Sequence, residues 1–182
     1  MTEAILDLWY FWLFVPVVLI YLLYRVKVKD NIDEKTISVL LRELDSTKYK
    51  VIDNQILRID GTIPRIGKVF QIDHIVISNY GVFIVETNNY KRWALGDDFV
   101  HTQALRQSLA EYQLINIIPI IVFPDNVAIK EKTNTKVVHS VNLLKTIKEY
   151  TVETITNQEK HSIYSKLVNL NTEMFVNGRL IK

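Results

Sequence analysis

The chain has 182 residues, 48% of them hydrophobic, and a formal net charge of +2. This length allows one domain and an appendage. The small charge gives no nucleic-acid footprint of its own, and the absence of cysteine excludes disulfide frameworks and thiolate metal sites.

The N-terminal segment has the composition of a membrane anchor. Residues 8–24 contain no charged side chain, and counted from Ile5 the segment reaches twenty residues, a helix of about 30 Å that matches the thickness of the bilayer hydrocarbon. A cleaved signal peptide would have a basic start and a small-residue cleavage site, and a core helix would have a polar face; the segment shows none of these features. We therefore expect a single transmembrane helix, with interfacial aromatic residues near both ends: Trp9, Tyr10, Trp12, Tyr21 and Tyr24.

Basic residues directly after this segment predict its orientation. Arg25, Lys27 and Lys29 follow it, whereas the residues before it include only acidic charges. The positive-inside rule then places the N-terminus outside the cell membrane and the C-terminal domain in the cytoplasm. We divide the chain into an anchor with its basic flank, residues 1–29, and one domain, residues 30–182.

The first elements of this domain are predicted to be a helix and a strand. Apolar residues recur at helical spacing between residues 34 and 44, at Ile37, Leu40, Leu41 and Leu44. Glu34 starts this helix, where a negative charge is favourable. Residues 49–58 then read as a strand that pairs with the segment after it.

Residues 71–90 have the pattern of a β-hairpin. Two β-branched apolar runs are separated by Ser78-Asn79-Tyr80-Gly81, a sequence of turn residues. Each arm carries one acid within an otherwise buried pattern, Asp73 in the first and Glu86 in the second. A buried carboxylate needs a partner, and a metal ion is a common one. Alternatively, the two acids lie near strand ends and are either hydrogen-bonded within the protein or exposed to solvent. The spacing alone leaves both interpretations open.

The remaining pattern alternates helices and strands. Residues 93–100 are expected to form a loop and residues 102–115 a helix, whose apolar side consists of Leu105, Leu109, Tyr112 and Leu114. The continuous apolar run at 117–123 predicts a strand buried on both faces. An edge strand at 137–139, a helix at 141–150 and a final helix at 162–170 complete a mixed α/β fold. His74, His139 and His161 lack paired ligand spacing and are interpreted as structural or solvated.

The hairpin resembles the core of the nuclease-related domain (NERD) family, a member of the PD-(D/E)xK superfamily. The matching segments are Gln71-Ile72-Asp73-His74, Gly81-Val82-Phe83, and Glu86-Thr87 followed by Asn89-Tyr90. The resemblance implies a restriction-endonuclease-like fold, with a mixed β-sheet flanked by helices. It covers roughly residues 33–150.

The resemblance also implies a metal-dependent site. In the family, the residues matching Asp73 and Glu86, the backbone carbonyl of Thr87 and the glutamate of the first helix, here Glu34, bind Mg²⁺ or Mn²⁺. A glutamine on the helix after the hairpin approaches the site, and Gln107 is the matching position. The implied activity is hydrolysis of phosphodiester bonds in nucleic acid, with DNA as the expected substrate.

One residue departs from the family pattern. The lysine two positions after the glutamate is Asn88 here, which can hydrogen-bond a water molecule but brings no positive charge. Loss of one charge-stabilising donor costs on the order of 10²- to 10³-fold in rate. Lys91 could substitute if a bulge reversed the strand alternation. The sequence thus predicts a membrane-anchored, nuclease-like domain of reduced activity, and the alternative is a catalytically inactive module that binds nucleic acid or protein at the membrane.

Overall fold

This computed structural model describes residues 15–21, 33–58, 69–87, 97–112, 114–126, 129, 135–176 and 179–180. Contacts divide the chain into two units, one of residues 1–31 with 126–128 and one of residues 32–125 with 129–182. In the first unit, residues 15–21 are helical. The second unit is the α/β domain described below.

A five-stranded mixed sheet forms the centre of the α/β domain, with its strands in the order β1-β2-β3-β4-β5. The first three strands form an antiparallel meander, and the last two join it in parallel. β6 and β7 form a separate two-stranded sheet. The strands are β1 (Tyr49–Arg58), β2 (Val69–Ser78), β3 (Gly81–Thr87), β4 (Ile117–Phe123), β5 (Lys136–His139), β6 (Phe175–Val176) and β7 (Arg179–Leu180).

Helices cover both faces of the main sheet. They are α1 (Glu34–Leu41), α2 (Asp97–Ser108), α3 (Leu143–Lys148, preceded by a 3₁₀ turn, Ser140–Asn142) and α4 (Asn157–Met174). Buried side chains of α2 and α4 pack with Ile75 and Ile84 of the sheet. Those of α1 and α3 pack with Val76 and Val85. Successive strand residues therefore enter opposite cores, because side chains alternate along a strand.

The turn of the predicted hairpin is confirmed and is fastened from outside by a buried lysine. Gly81 pairs with Ser78 across a two-residue turn and has a φ of +147°. A Cβ atom there would lie 2.9 Å from the backbone oxygen of Asn116, so only glycine fits. On the same turn, Asn79 Oδ1 accepts a hydrogen bond of 2.7 Å from Nζ of Lys160, an α4 residue with 2% of its surface exposed.

Three predicted elements are confirmed with close agreement. The strand at 49–58 is β1, paired with β2, and the apolar run at 117–123 is β4, buried along nearly its whole length. The short strand at 137–139 is β5, which lies at the sheet edge. The first helix begins at Glu34 as predicted but ends at Leu41, three residues early.

Two helix predictions were wrong in their boundaries. The helix predicted at 102–115 runs over Asp97–Ser108 instead, so its first turn occupies positions that were expected to be loop. Past Ser108 the chain turns, and Leu114 is 87% exposed rather than part of an apolar helix face. The last helix begins at residue 157, not 162.

The N-terminal anchor lies mostly outside the described residues. Over those residues, no helix is both long enough and apolar enough to cross a bilayer. Residues 15–21 are helical, and their large apolar side chains are between 47% and 65% exposed. The transmembrane helix therefore stays a prediction.

Candidate functional site

The open end of the hairpin brings Asp73 and Glu86 to neighbouring positions. The last ladder pair between β2 and β3 is His74 opposite Val85. Asp73 and Glu86 are the next residues of the two strands, and Asp73 is hydrogen-bonded to Thr87, the residue after Glu86. Glu86 contacts His101 of α2, so its side chain lies on the face of the sheet that α2 covers.

Asp73 is buried, and only one of its two carboxylate oxygens has hydrogen-bond partners. It is 2% exposed, and its Oδ2 accepts hydrogen bonds from the backbone N–H (2.9 Å) and the hydroxyl (2.6 Å) of Thr87. Its Oδ1 is also buried, and no described residue donates a hydrogen bond to it. A buried carboxylate oxygen without a partner is costly and calls for an ion, a water or a ligand group to satisfy it.

Glu86 is held by a histidine that the sequence analysis did not identify. His101 Nδ1 lies 2.8 Å from Glu86 Oε1, and the two side chains are only 5% and 15% exposed. Because a carboxylate only accepts hydrogen bonds, this contact makes Nδ1 the donor and fixes the imidazole orientation. The ring of Phe70 packs edge-on against His101 at a centroid distance of 6.2 Å. The sequence did contain a signal for His101, namely its position. It lies four residues before Leu105 and therefore on the same buried face of α2.

A second buried histidine lies on the opposite face. His74 is 1% exposed, and its Nδ1 lies 2.8 Å from Asp53 Oδ1 on β1. The other oxygen of Asp53 accepts from Ser38 Oγ (2.7 Å) and Arg42 Nη2 (3.5 Å). Burial raises the pKa of Asp53, but the hydrogen bonds from Ser38 and His74 outweigh it and hold this pKa below its ordinary value. These contacts fasten α1 to the sheet, in line with a structural role for His74, although no described residue pairs with its buried Nε2.

Glu34 is not brought to the two hairpin acids by any described contact. It is the first residue of α1, which packs on the face opposite α2. The preceding residue, Asp33, is the helix N-cap and accepts a hydrogen bond of 2.9 Å from the backbone N–H of Thr36. The predicted role of Glu34 in metal binding stays a prediction.

The other predicted site residues are distant or outside the described residues. Gln107 is exposed near the end of α2, six residues or about 9 Å along the helix axis from His101. Asn88 and Lys91 lie outside the described residues. Lys160 is not a substitute for the missing lysine, because it binds the hairpin turn, about 16 Å along the strand from Asp73.

The donor set fits a hard divalent cation in its chemistry. Within the described ranges, no group of three or more histidine, cysteine, aspartate or glutamate side chains could hold a metal ion. The unsatisfied Oδ1 of Asp73 nevertheless belongs to a residue bonded to Thr87, which follows a second acid, Glu86, and carboxylate oxygens are the ligands that Mg²⁺ and Mn²⁺ prefer. No described lysine, arginine or histidine donates a hydrogen bond to Oδ1.

Comparison with known proteins agrees with this geometry. A model of the nuclease-related domain family matches residues 29–124. An uncharacterised protein of Bacillus anthracis is 30% identical over 174 residues, which cover 80% of this chain and 78% of that relative. No solved structure matches the chain. The family match spans α1, the antiparallel meander, α2 and β4, so the chain belongs to the nuclease-related domain family.

Proposed function

We propose that this chain is a divalent-metal-dependent nuclease that hydrolyses phosphodiester bonds in DNA. The observation that carries the proposal is the buried Oδ1 of Asp73, which has no hydrogen-bond donor and belongs to a residue bonded to the Glu86–Thr87 segment of the next strand. Two neighbouring carboxylates would repel a phosphate backbone. Their presence at the matched family positions is therefore best explained by a cation between them and the substrate.

Asp73, Glu86 and the carbonyl of Thr87 would hold the cation. A bound Mg²⁺ or Mn²⁺ supplies Lewis-acid polarisation of the phosphodiester and a water of lowered pKa. The protein's part is to fix the ligands in advance. Thr87 holds one oxygen of Asp73 and thereby aims the other, while His101 holds Glu86. Asn88 would position the attacking water or the substrate.

The missing lysine is expected to slow the reaction rather than abolish the site. Asparagine at position 88 can orient water but cannot offset the charge that develops on the phosphate. Restoring the lysine should therefore raise the rate by on the order of 10²- to 10³-fold.

We also propose that the domain is tethered to the cytoplasmic side of the cell membrane. The support is the uncharged segment at 8–24, the exposed apolar helix at 15–21, and the basic cluster of Arg25, Lys27 and Lys29. Cell fractionation with a protease-protection assay tests the placement. Recovery of the full chain in the soluble fraction would refute it.

A cleavage assay tests the enzymatic proposal. The full chain and its Asn88→Lys, Asp73→Ala and Asn88→Lys/Asp73→Ala forms are incubated with linear DNA or RNA, with and without Mg²⁺ or Mn²⁺. We expect weak cleavage by the natural sequence, a strong gain with lysine at 88, and loss of that gain with Asp73→Ala. Cleavage that needs no metal, or that persists without Asp73, would contradict the mechanism.

The alternative function is a catalytically silent module that binds nucleic acid or protein at the membrane. Asn88 is the observation that favours it, because it removes the one cation of the motif. In that case Asn88→Lys would produce no cleavage, and Asp73→Ala would bind DNA as tightly as the natural sequence.

A further inference from the structure

The strand next to Asp73 contains a backbone distortion. Asn54 has a φ of +55°, the left-handed region, in the middle of β1. It lies between the pairs Asp53–His74 and Gln55–Ile72, so its position across the ladder is that of Asp73. Such conformations are rare in strands and are held only where the surroundings support them.

The distortion changes which core the following residues enter. Before it, Val51 packs with the α1 side of the sheet. After it, Leu57, which regular alternation would send to that same side, packs with α2 and α4. Gln55 lies two residues before Leu57 and directly opposite Ile72, which also belongs to the α2 side. The side chain of Gln55 therefore lies on the face that carries Glu86 and His101.

Amide groups from two other elements hold the distorted backbone. Gln71 Nε2 donates to Asn54 Oδ1 at 2.9 Å. Asn171 of α4 donates to the backbone oxygen of Asn54 at 3.3 Å and accepts from the backbone N–H of Ile56 at 3.1 Å. These hydrogen bonds stabilise the backbone on both sides of Gln55, and they therefore hold Gln55 in its position.

Gln55 is fully buried and presents an unsatisfied oxygen. It is 0% exposed, and its Nε2 donates to the backbone oxygen of Ile56 at 2.9 Å. Because a carbonyl cannot donate to a carbonyl, this contact fixes which end of the amide is nitrogen. Its Oε1 is buried, and no described residue donates a hydrogen bond to it.

Two buried acceptors without donors thus occupy adjoining positions on β1 and β2. Asp73 Oδ1 and Gln55 Oε1 cannot satisfy each other, because neither oxygen carries a proton when the acid is ionised. A carboxylate and an amide carbonyl are together the oxygen ligands that Mg²⁺ and Mn²⁺ accept. A bound water would satisfy both oxygens but would leave the carboxylate charge unneutralised.

We propose that Gln55 is an additional ligand of the cation held by Asp73, contributing its amide oxygen from the neighbouring strand. This inference rests on the metal-binding part of the proposed function. It assigns the distortion at Asn54 a purpose, which is to place a neutral oxygen one ladder position from the acid without adding a further negative charge. Gln55 would then set the affinity of the site by supplying one ligand that needs no ionisation.

A Mn²⁺ titration of the full chain, followed by electron paramagnetic resonance, tests this proposal without reference to activity. The forms compared are the natural sequence, Gln55→Leu, Gln55→Glu and Asp73→Asn. Gln158→Leu is the matched control, because Gln158 is exposed at the start of α4. We expect Gln55→Leu to weaken Mn²⁺ binding about tenfold or more, Gln55→Glu to tighten it, Asp73→Asn to abolish it, and the control to bind normally.

The outcomes separate this inference from the proposed function. Normal Mn²⁺ binding by Gln55→Leu, with loss in Asp73→Asn, would refute a ligand role for Gln55 and leave the metal site standing. An absence of Mn²⁺ binding by the natural sequence would refute both. Circular dichroism checks the folding of each form; if Gln55→Leu does not fold, Gln55→Glu decides, because an added carboxylate ligand tightens binding and an uninvolved one leaves Mn²⁺ affinity unchanged.

Discussion

Replacing the buried Lys160 by methionine should destabilise the domain without touching the candidate site. The ammonium group donates to Asn79 Oδ1 (2.7 Å), Thr47 O (3.1 Å) and Lys48 O (3.4 Å), so it joins α4 to the hairpin turn and to the turn before β1. Methionine retains most of the apolar stem but leaves these three acceptors without their donor.

The magnitude follows from two opposing contributions. Hydrogen bonds from a charged donor are worth about 1.5–3 kcal/mol each, and the two shorter ones dominate. Against this, methionine avoids the desolvation of an ammonium group that is 2% exposed. We expect a net loss of about 2–3 kcal/mol in the free energy of unfolding, measured by urea denaturation at pH 7.

The matched control is Lys166→Met on the same helix. Lys166 pairs with Glu111 at 2.8 Å, but both side chains are substantially exposed, so the change should cost less than about 0.5 kcal/mol. Equal effects of the two substitutions would refute the argument that burial makes Lys160 important.

The pH dependence gives an independent check. Desolvation, followed by the charge of Lys50, lowers the pKa of Lys160 below its ordinary value of 10.5. The unfolded chain then holds this proton more tightly than the folded chain. Stability from this group therefore rises as pH increases toward 10.5, and the difference between the natural sequence and Lys160→Met should widen over that range. A constant difference would mean that the pKa is not depressed.

Three further predictions concern the sheet and the site. Asp53→Asn should cost about 1–2 kcal/mol at pH 7; because its pKa is lowered, the cost should shrink in urea denaturation as pH falls below 3.8. A difference that persists at low pH would assign the effect to packing instead. Gly81→Ala should cost at least about 1 kcal/mol in thermal unfolding, since the residue combines positive φ with a neighbouring backbone oxygen at 2.9 Å, and an unchanged Tm would contradict the turn geometry. His101→Ala should weaken Mn²⁺ binding about tenfold by releasing Glu86, and unaltered Mn²⁺ affinity would show that the pair is only structural.

Local patterns were sufficient to predict the hairpin and the central strand. Turn residues between two β-branched runs specify one compact solution, and the glycine at its end is required by a close backbone approach. The short, continuous apolar run at 117–123 predicted a strand buried on both faces, which the structure confirms. These elements are encoded in short stretches of sequence, which is why the sequence alone was sufficient to predict them.

Helix ends depended on signals that were present but not used. Thr156 and Glu159 form a capping box, in which each side chain accepts from the other's backbone N–H at 3.2 Å and 2.8 Å. This pair starts α4 five residues before the apolar periodicity becomes visible. The apolar pattern shows where a helix is buried, whereas capping residues show where it begins.

The contacts that define the candidate site could not be predicted in the same way. The hydrogen bonds from Thr87 to Asp73 need the strand ends to separate after the pair His74–Val85. The pairing of His101 with Glu86 joins residues fifteen apart on different elements. The side of the sheet on which Gln55 lies depends on the positive φ of Asn54. A prediction from strict strand alternation assumes that no such residue occurs. Each depends on tertiary structure.

A comparison between two acids of the same sheet separates a structural role from a functional one. Asp53 and Asp73 lie on adjoining strands, yet both oxygens of Asp53 have partners: His74 on one, Ser38 and Arg42 on the other. Asp73 is more deeply buried and has partners on one oxygen only. A carboxylate used to hold the fold together has no reason to keep an unsatisfied oxygen, because that oxygen reduces stability. The same fold shows that it can satisfy a carboxylate completely, so the exception at Asp73 points to a group that binds from outside the chain.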